Sequence, residues 1–148
     1  MAEVKEGTTF RDKDHQNLLV LLKKAQEEFG YVPEGFIVDT AKSLDISVSE
    51  VYGVVSFYSF LSDKSLGRNV IRVCQNLPCF LKNSEMIIKS VADELGITPG
   101  ETTPDRKFYF QLTNCIGTCD EAPAMMINND VHVNLTPSKI SQILKEYK

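Results

Sequence analysis

The chain has 148 residues with a formal net charge of −4, 43% hydrophobic and 24% charged, which is ordinary for a soluble globular protein and excludes a disordered or collagen-like chain. No apolar run approaches the roughly 18 residues of a membrane helix, so we expect no direct membrane insertion. The first residues lack the apolar core of a secretory signal, so we expect a cytoplasmic protein whose four cysteines stay reduced.

Residues 1–66 are predicted to form a helical bundle. Apolar side chains spaced three and four residues apart predict a first helix over Gln16–Phe29 and a second over Pro33–Leu44. This part of the chain also carries the whole net negative charge.

A third helix is predicted over Val48–Leu61. Ser47 and Glu50 have the spacing of a capping box, which marks its start. Its residues are apolar or aromatic on almost every face, and such a helix must be covered on more than one side. We expect the cover to be either the second half of the chain or another subunit.

Residues 67–148 alternate between strands and helices. The predicted elements are a strand Val70–Val73, a helix Ser84–Leu95, a strand Phe108–Leu112, a hairpin of Ala124–Ile127 and Val131–Asn134, and a last helix that starts at Pro137. The order β-α-β-β-α is that of a thioredoxin-like domain, with the first two strands parallel. We therefore predict an α/β protein, in which the helical domain is followed by a thioredoxin-like domain with a small mixed sheet.

The four cysteines form two pairs, Cys74-x4-Cys79 and Cys115-x3-Cys119. Each pair begins just beyond the end of a predicted strand. If those strands are parallel neighbours, both pairs emerge at the same edge of the sheet. A [2Fe–2S] cluster needs four soft thiolate ligands, two for each iron, and two pairs on adjacent loops meet that need.

The residues around the cysteines agree with a cluster site. Gly117 lets the second loop fold closely around a ligand. The loop Gln75–Pro78 is expected to donate backbone N–H groups to sulfur. Leu77, Ile116 and Pro123 are expected to limit access of water.

Spacing alone leaves other sites open. A structural zinc site also uses four thiolates, although its knuckles favour C-x2-C, and a dithiol oxidoreductase needs C-x-x-C. His15 and His132 lie far in sequence from the cysteines, so a Rieske-type site is not expected. The segment Ala41–Phe60 superficially resembles a helix-turn-helix, but its second helix has no Arg or Lys to reach DNA, and we expect no nucleic-acid partner.

Three segments, together with the cysteine spacing, resemble the thioredoxin-like [2Fe–2S] subunit family. They are Val51–Phe60, similar to V-x-x-V-x-S-F-Y-x-F, Gly100–Thr103, similar to G-E-T-T, and Cys115–Asn128, similar to C-x-G-x-C-x-x-A-P-x-x-x-I-N. The family includes the small flavoprotein-partner subunit of respiratory complex I and the gamma-type subunits of NAD-dependent and electron-bifurcating hydrogenases and formate dehydrogenases. Arg106 and Pro78 depart from the family pattern but remove no ligand.

The resemblance implies that Cys74 and Cys79 bind one iron of a [2Fe–2S] cluster and that Cys115 and Cys119 bind the other. It also implies a non-catalytic, one-electron carrier subunit of an NAD(P)H-linked oxidoreductase. Its partner would be a flavoprotein that carries FMN and an NAD(H) site. The chain lacks a G-x-G-x-x-G or P-loop pattern, so FMN and NAD are expected only on that partner. A free-standing ferredoxin stays an alternative, which the apolar third helix disfavours.

Overall fold

A computed structural model describes the backbone of residues 10–147 and the side chains of residues 18–147. The chain separates into two compact units, Met1–Ser65 and Leu66–Lys148. Each unit has its own cluster of buried apolar side chains. The division lies one residue from the boundary expected between residues 66 and 67. That the two units are independent domains stays a prediction.

The described part of the first unit contains three helices. They are α1 (Phe10–Phe29), α2 (Glu34–Leu44) and α3 (Val48–Phe57). The predicted start of the first helix at Gln16 is wrong, because the helix begins six residues earlier. The predicted end of the third helix at Leu61 is also wrong. Tyr58 leaves the helical conformation, with φ −86° and ψ 113°, so helix α3 ends at Phe57.

The capping box at the start of α3 is confirmed. The Glu50 backbone N–H donates to Ser47 Oγ at 3.1 Å, and the Ser47 N–H donates to Glu50 Oε2 at 2.9 Å. Of the residues in α3, only Val51 and Val55 are buried in the core of this unit. Phe57 is 80% exposed. The aromatic side chains of α3, which we expected the second half of the chain or another subunit to cover, are therefore not part of the core of this unit.

The second unit is built on a four-stranded mixed sheet in the order β2-β1-β3-β4. Its strands are β1 (Asn69–Cys74), β2 (Phe108–Thr113), β3 (Met125–Ile127) and β4 (Asp130–His132). Strands β1 and β2 are parallel, as predicted, and the other two pairings are antiparallel. Because β1 is central and Cys74 lies opposite Thr113, the carboxyl ends of β1 and β2 meet at one edge of the sheet.

Three α-helices and one short 3-10 helix accompany the sheet in the described residues. The α-helices are α4 (Leu77–Leu81), α5 (Ser84–Leu95) and α6 (Pro137–Glu146), and the 3-10 helix is Cys119–Glu121. Helix α4 was not predicted, whereas α5 has the predicted bounds. No helix in the described part of the chain is long and apolar enough to cross a membrane.

Alternation along β1 divides its side chains between the two faces of the sheet. Ile71 and Val73 lie in the main core, which also contains residues of β2, α5 and α6. Cys74 lies instead in a small separate cluster with Cys79, Ala122 and Ala124. Strand β1 thus places Cys74 at its carboxyl end and outside the main core.

Candidate metal centre

The first cysteine pair is buried, with Cys74 1% exposed and Cys79 2% exposed. Cys74 ends β1, where its N–H donates to the Ala124 carbonyl at 3.2 Å. Cys79 lies on α4, the five-residue helix that immediately follows the strand. A short helix can therefore bring the second cysteine of the C-x4-C segment back beside the first.

Burial raises the pKa of the Cys79 thiol to about 11. A backbone hydrogen bond from Ala124 acts in the opposite direction, while a hydrogen bond with Cys74 raises the pKa further. In the iron-free chain Cys79 is therefore a neutral thiol at pH 7. A metal ion must displace that proton when it binds.

The second pair, Cys115 and Cys119, is exposed to solvent. The two sulfur atoms share a hydrogen bond of 3.1 Å, and the Gly117 N–H donates to Cys115 Sγ at 3.4 Å. The hydrogen bond between the two thiols lowers the pKa of Cys115 and raises the pKa of Cys119, and the Gly117 N–H also lowers that of Cys115. Gly117 has φ +95°, a conformation that an L side chain rarely adopts, so glycine is strongly favoured between these two cysteines.

The two pairs lie close enough to influence each other's ionisation. Negative charge on Cys119 raises the pKa of Cys79, and negative charge on Cys74 raises the pKa of Cys119. Within the described residues, no three His, Cys, Asp or Glu side chains form a group around a single ion. A hydrogen bond joins the two thiols within each pair, and a two-iron cluster takes two thiolates for each iron. The donor set therefore fits a [2Fe–2S] cluster.

The surroundings of the thiols are apolar on one side. Ala122 and Ala124 are buried against the first pair, and Ile116 and Val133 pack on the same cluster. Pro123 is buried, as expected, and its peptide bond with Ala122 is cis. The prediction for Leu77 is wrong: it is 67% exposed, because α4 turns it towards solvent.

Two of the four residues in the loop Gln75–Pro78, which were predicted to donate N–H groups to sulfur, do not do so. The Gln75 N–H donates to the Thr113 carbonyl and so continues the pairing of the two parallel strands. Pro78 has no N–H to give. The N–H groups of Gly117 and Ala124 donate to sulfur, to Cys115 and Cys79 respectively. Ala124 was missed because its role depends on the pairing of β3 with β1.

The two histidines were not expected to be ligands. His132 Nε2 lies 3.0 Å from the Tyr147 hydroxyl, and Tyr147 in turn donates to Asp130 Oδ2 at 2.8 Å. This contact joins β4 to the residue that follows α6, and it involves no cysteine. The side chain of His15 lies outside the described residues.

Comparisons with known proteins agree with the geometry. A family model for thioredoxin-like [2Fe–2S] ferredoxins matches residues 4–148. An NADH-quinone oxidoreductase subunit of Escherichia coli K12 is 41% identical over 127 residues, which is 86% of this chain and 76% of that protein. The NADP-reducing hydrogenase subunit HndA of Solidesulfovibrio fructosivorans is 36% identical over 131 residues, 88% of this chain and 77% of that one.

A solved structure has a similar fold. It is a crystal structure of an NAD+-reducing [NiFe]-hydrogenase in the air-oxidised state, with a TM-score of 0.73 and 20% sequence identity. The match covers 86% of this chain but only 22% of that longer chain. At this identity the likeness shows the fold alone.

Proposed function

Because the chain belongs to the thioredoxin-like [2Fe–2S] ferredoxin family, we propose that its four cysteines hold one cluster and that it serves as a one-electron carrier. Cys74 and Cys79 bind one iron, and Cys115 and Cys119 bind the other. The observation that carries the proposal is that two thiol pairs lie beyond the carboxyl ends of two parallel strands, close enough to shift each other's pKa. When bound, the cluster supplies reversible one-electron transfer.

The residues of the chain give the cluster its position and surroundings. Strand β1 and helix α4 hold the first pair in a buried, apolar place, where Ala124 supplies one N–H to sulfur. The loop around Gly117 holds the second pair at the surface and supplies another N–H. Hydrogen bonds to sulfur and partial exclusion of water are the means by which proteins adjust such clusters.

The chain acts as a non-catalytic subunit beside a flavoprotein. The names of its relatives, which are subunits of an NADH-quinone oxidoreductase and of an NADP-reducing hydrogenase, support a partner that handles the nicotinamide. That partner carries FMN and the NAD(H) site, since a flavin can accept a two-electron hydride and return single electrons. A cytoplasmic location suits four thiols that must stay reduced until iron binds.

Metal analysis of the purified full-length protein tests the cluster. We expect equal iron and acid-labile sulfide, about two of each per chain, and a visible chromophore that dithionite bleaches. Zinc in place of iron would overturn the proposal in favour of a structural metal site.

Co-purification from the native host tests the subunit role. We expect a stable complex with one FMN-containing subunit, and NADH added to that complex should reduce the cluster. Recovery of a cluster-loaded monomer that NADH cannot reduce through any associated flavoprotein would instead support the free-standing ferredoxin.

A further inference from the structure

Arg72 is a buried cation on the strand that ends in a cluster ligand. It is 6% exposed, and no other charged side chain is buried among the described residues. Burial lowers the pKa of Arg72, and the phenol of Tyr109 acts in the opposite direction. A guanidinium still keeps its proton at any physiological pH, so Arg72 contributes a fixed positive charge inside the second unit.

The register of the sheet places this charge near the first cysteine pair. Arg72 and Cys74 are two residues apart on β1, so their side chains leave the same face of the sheet. Arg72 lies between Gln111 of β2 and Met126 of β3. Cys74 lies one row further along, between Thr113 and Ala124.

Arg72, at 6% exposure, and Cys74, at 1%, are both shielded from bulk water. Adjacent rows on one face of a sheet are about 7 Å apart. Ala124 is fully buried, and Thr113 and Cys74 are nearly so. Charges that are screened by protein rather than by water interact strongly over such distances.

We propose that Arg72 raises the reduction potential of the cluster through the electric field of its buried charge. A reduced cluster carries one more negative charge than an oxidised one, so a nearby fixed cation stabilises the reduced state. The inference rests on the proposed function, because it requires a cluster on Cys74. It assigns Arg72 no ligand bond and no step in electron transfer beyond this effect on the potential.

The expected size of the effect follows from the separation. A unit charge about 10 Å from the cluster, at the effective dielectric constant of a protein, changes the equilibrium constant for reduction by roughly tenfold. For a one-electron couple a tenfold change is about 59 mV. An exposed arginine contributes much less, because water and salt screen it.

The test is a redox titration of the full-length, cluster-loaded protein, followed by visible absorbance. Arg72→Met removes the charge while keeping much of the apolar stem, and we expect the potential to fall by about 59 mV. Arg72→Lys keeps the charge and should restore most of the difference. Arg106→Met is the matched control, because Arg106 is exposed in the same unit. The reduction potential of the cluster in this variant should stay at the wild-type value.

The outcomes separate this inference from the proposed function. An unchanged reduction potential in a fully loaded Arg72→Met protein would overturn the inference about Arg72. An equal fall in the Lys and Met variants would overturn it as well, because it would indicate an effect of packing rather than of charge. If Arg72→Met does not fold, Arg72→Gln offers a neutral, polar replacement with the same expected fall. A wild-type protein that binds no iron–sulfur cluster would instead refute the proposed function itself.

Discussion

The two cysteine pairs lie at the same edge of the sheet, yet they differ in almost every physical property. Cys74 and Cys79 are buried and are held by a strand and a helix. Cys115 and Cys119 are exposed; Cys115 lies in the loop around Gly117, and Cys119 begins a short 3-10 helix. In the first pair the pKa of Cys79 is raised, whereas in the second pair the pKa of Cys115 is lowered.

This difference predicts that the two pairs contribute differently to the proposed site. If the four cysteines hold the proposed cluster, we expect the buried pair to determine whether iron is retained. We expect the exposed pair to be the side from which solvent, iron and the proposed redox partner reach the cluster. Four experiments test this contrast, in order from the largest expected effect to the smallest.

The largest contrast is expected from replacing one ligand of each pair. Cys74→Ser should lose nearly all of the iron, because a buried hydroxyl is a poor iron ligand and its strand cannot shift to compensate. Cys115→Ser should keep a measurable part of the iron, since its loop is exposed and can adjust. Iron and acid-labile sulfide per chain measure both. Equal losses in the two variants would show that burial does not decide retention.

The second contrast concerns thiol reactivity in the iron-free protein. A thiol with a pKa of about 11 is only about one thousandth thiolate at pH 8, while the lowered pKa of Cys115 makes it more ionised than an ordinary thiol. We expect iodoacetamide to modify Cys115 at least about a hundredfold faster than Cys79.

Peptide mass spectrometry at successive times measures these rates. Raising the pH towards 11 should speed the modification of Cys79 by about tenfold per unit, because its thiolate fraction rises with pH below its pKa. Similar rates for Cys79 and Cys115 at pH 8 would contradict the contrast.

The third experiment enlarges a side chain behind the buried pair. Ala124 is fully buried against Cys74 and Cys79, so Ala124→Leu should lower the free energy of unfolding by about 1–3 kcal/mol through overpacking. Asp120→Ala, on the exposed side, is the matched control and should change it by less than about 0.5 kcal/mol. Urea unfolding of the iron-free proteins measures both, and a tolerated leucine would mean that the buried side is loosely packed.

The smallest effect is expected at the loop of the exposed pair. Gly117 has φ +95° with open space around it, so Gly117→Ala should cost roughly 1–2 kcal/mol through backbone strain alone. Gly53→Ala is a suitable control, because Gly53 lies in helix α3 with open space and an ordinary φ, and alanine favours the helix there. Equal stability of the Gly117→Ala and wild-type proteins would show that the loop adapts freely.

Elements with their own local signals were predictable from sequence. Helix α5 has an apolar face and a glycine at its end, and its bounds match the prediction at both ends. The start of α3 followed from the capping box at Ser47. The parallel pairing of β1 and β2 followed from the helix between them, because a crossover connection returns the chain to the same direction.

Elements without such signals were missed. Helix α4 has only five residues, too few for a helical period, and it includes Pro78. The end of α3 was misplaced because the sequence stays apolar beyond Phe57, where the backbone leaves the helix. The exposure of Leu77 depends on the orientation of α4 and could not be read from its hydrophobicity.

The order of the elements, the family resemblance and the grouping of the cysteines into two pairs beyond two strands could be read from the sequence. These features depend on local spacing, which a chain carries whether or not it is folded. Tertiary packing, in contrast, buries one cysteine pair, leaves the other exposed and buries Arg72 one row from Cys74. Burial is set by residues distant in sequence, such as Ala122 and Ala124, which reach the site only when the sheet has formed.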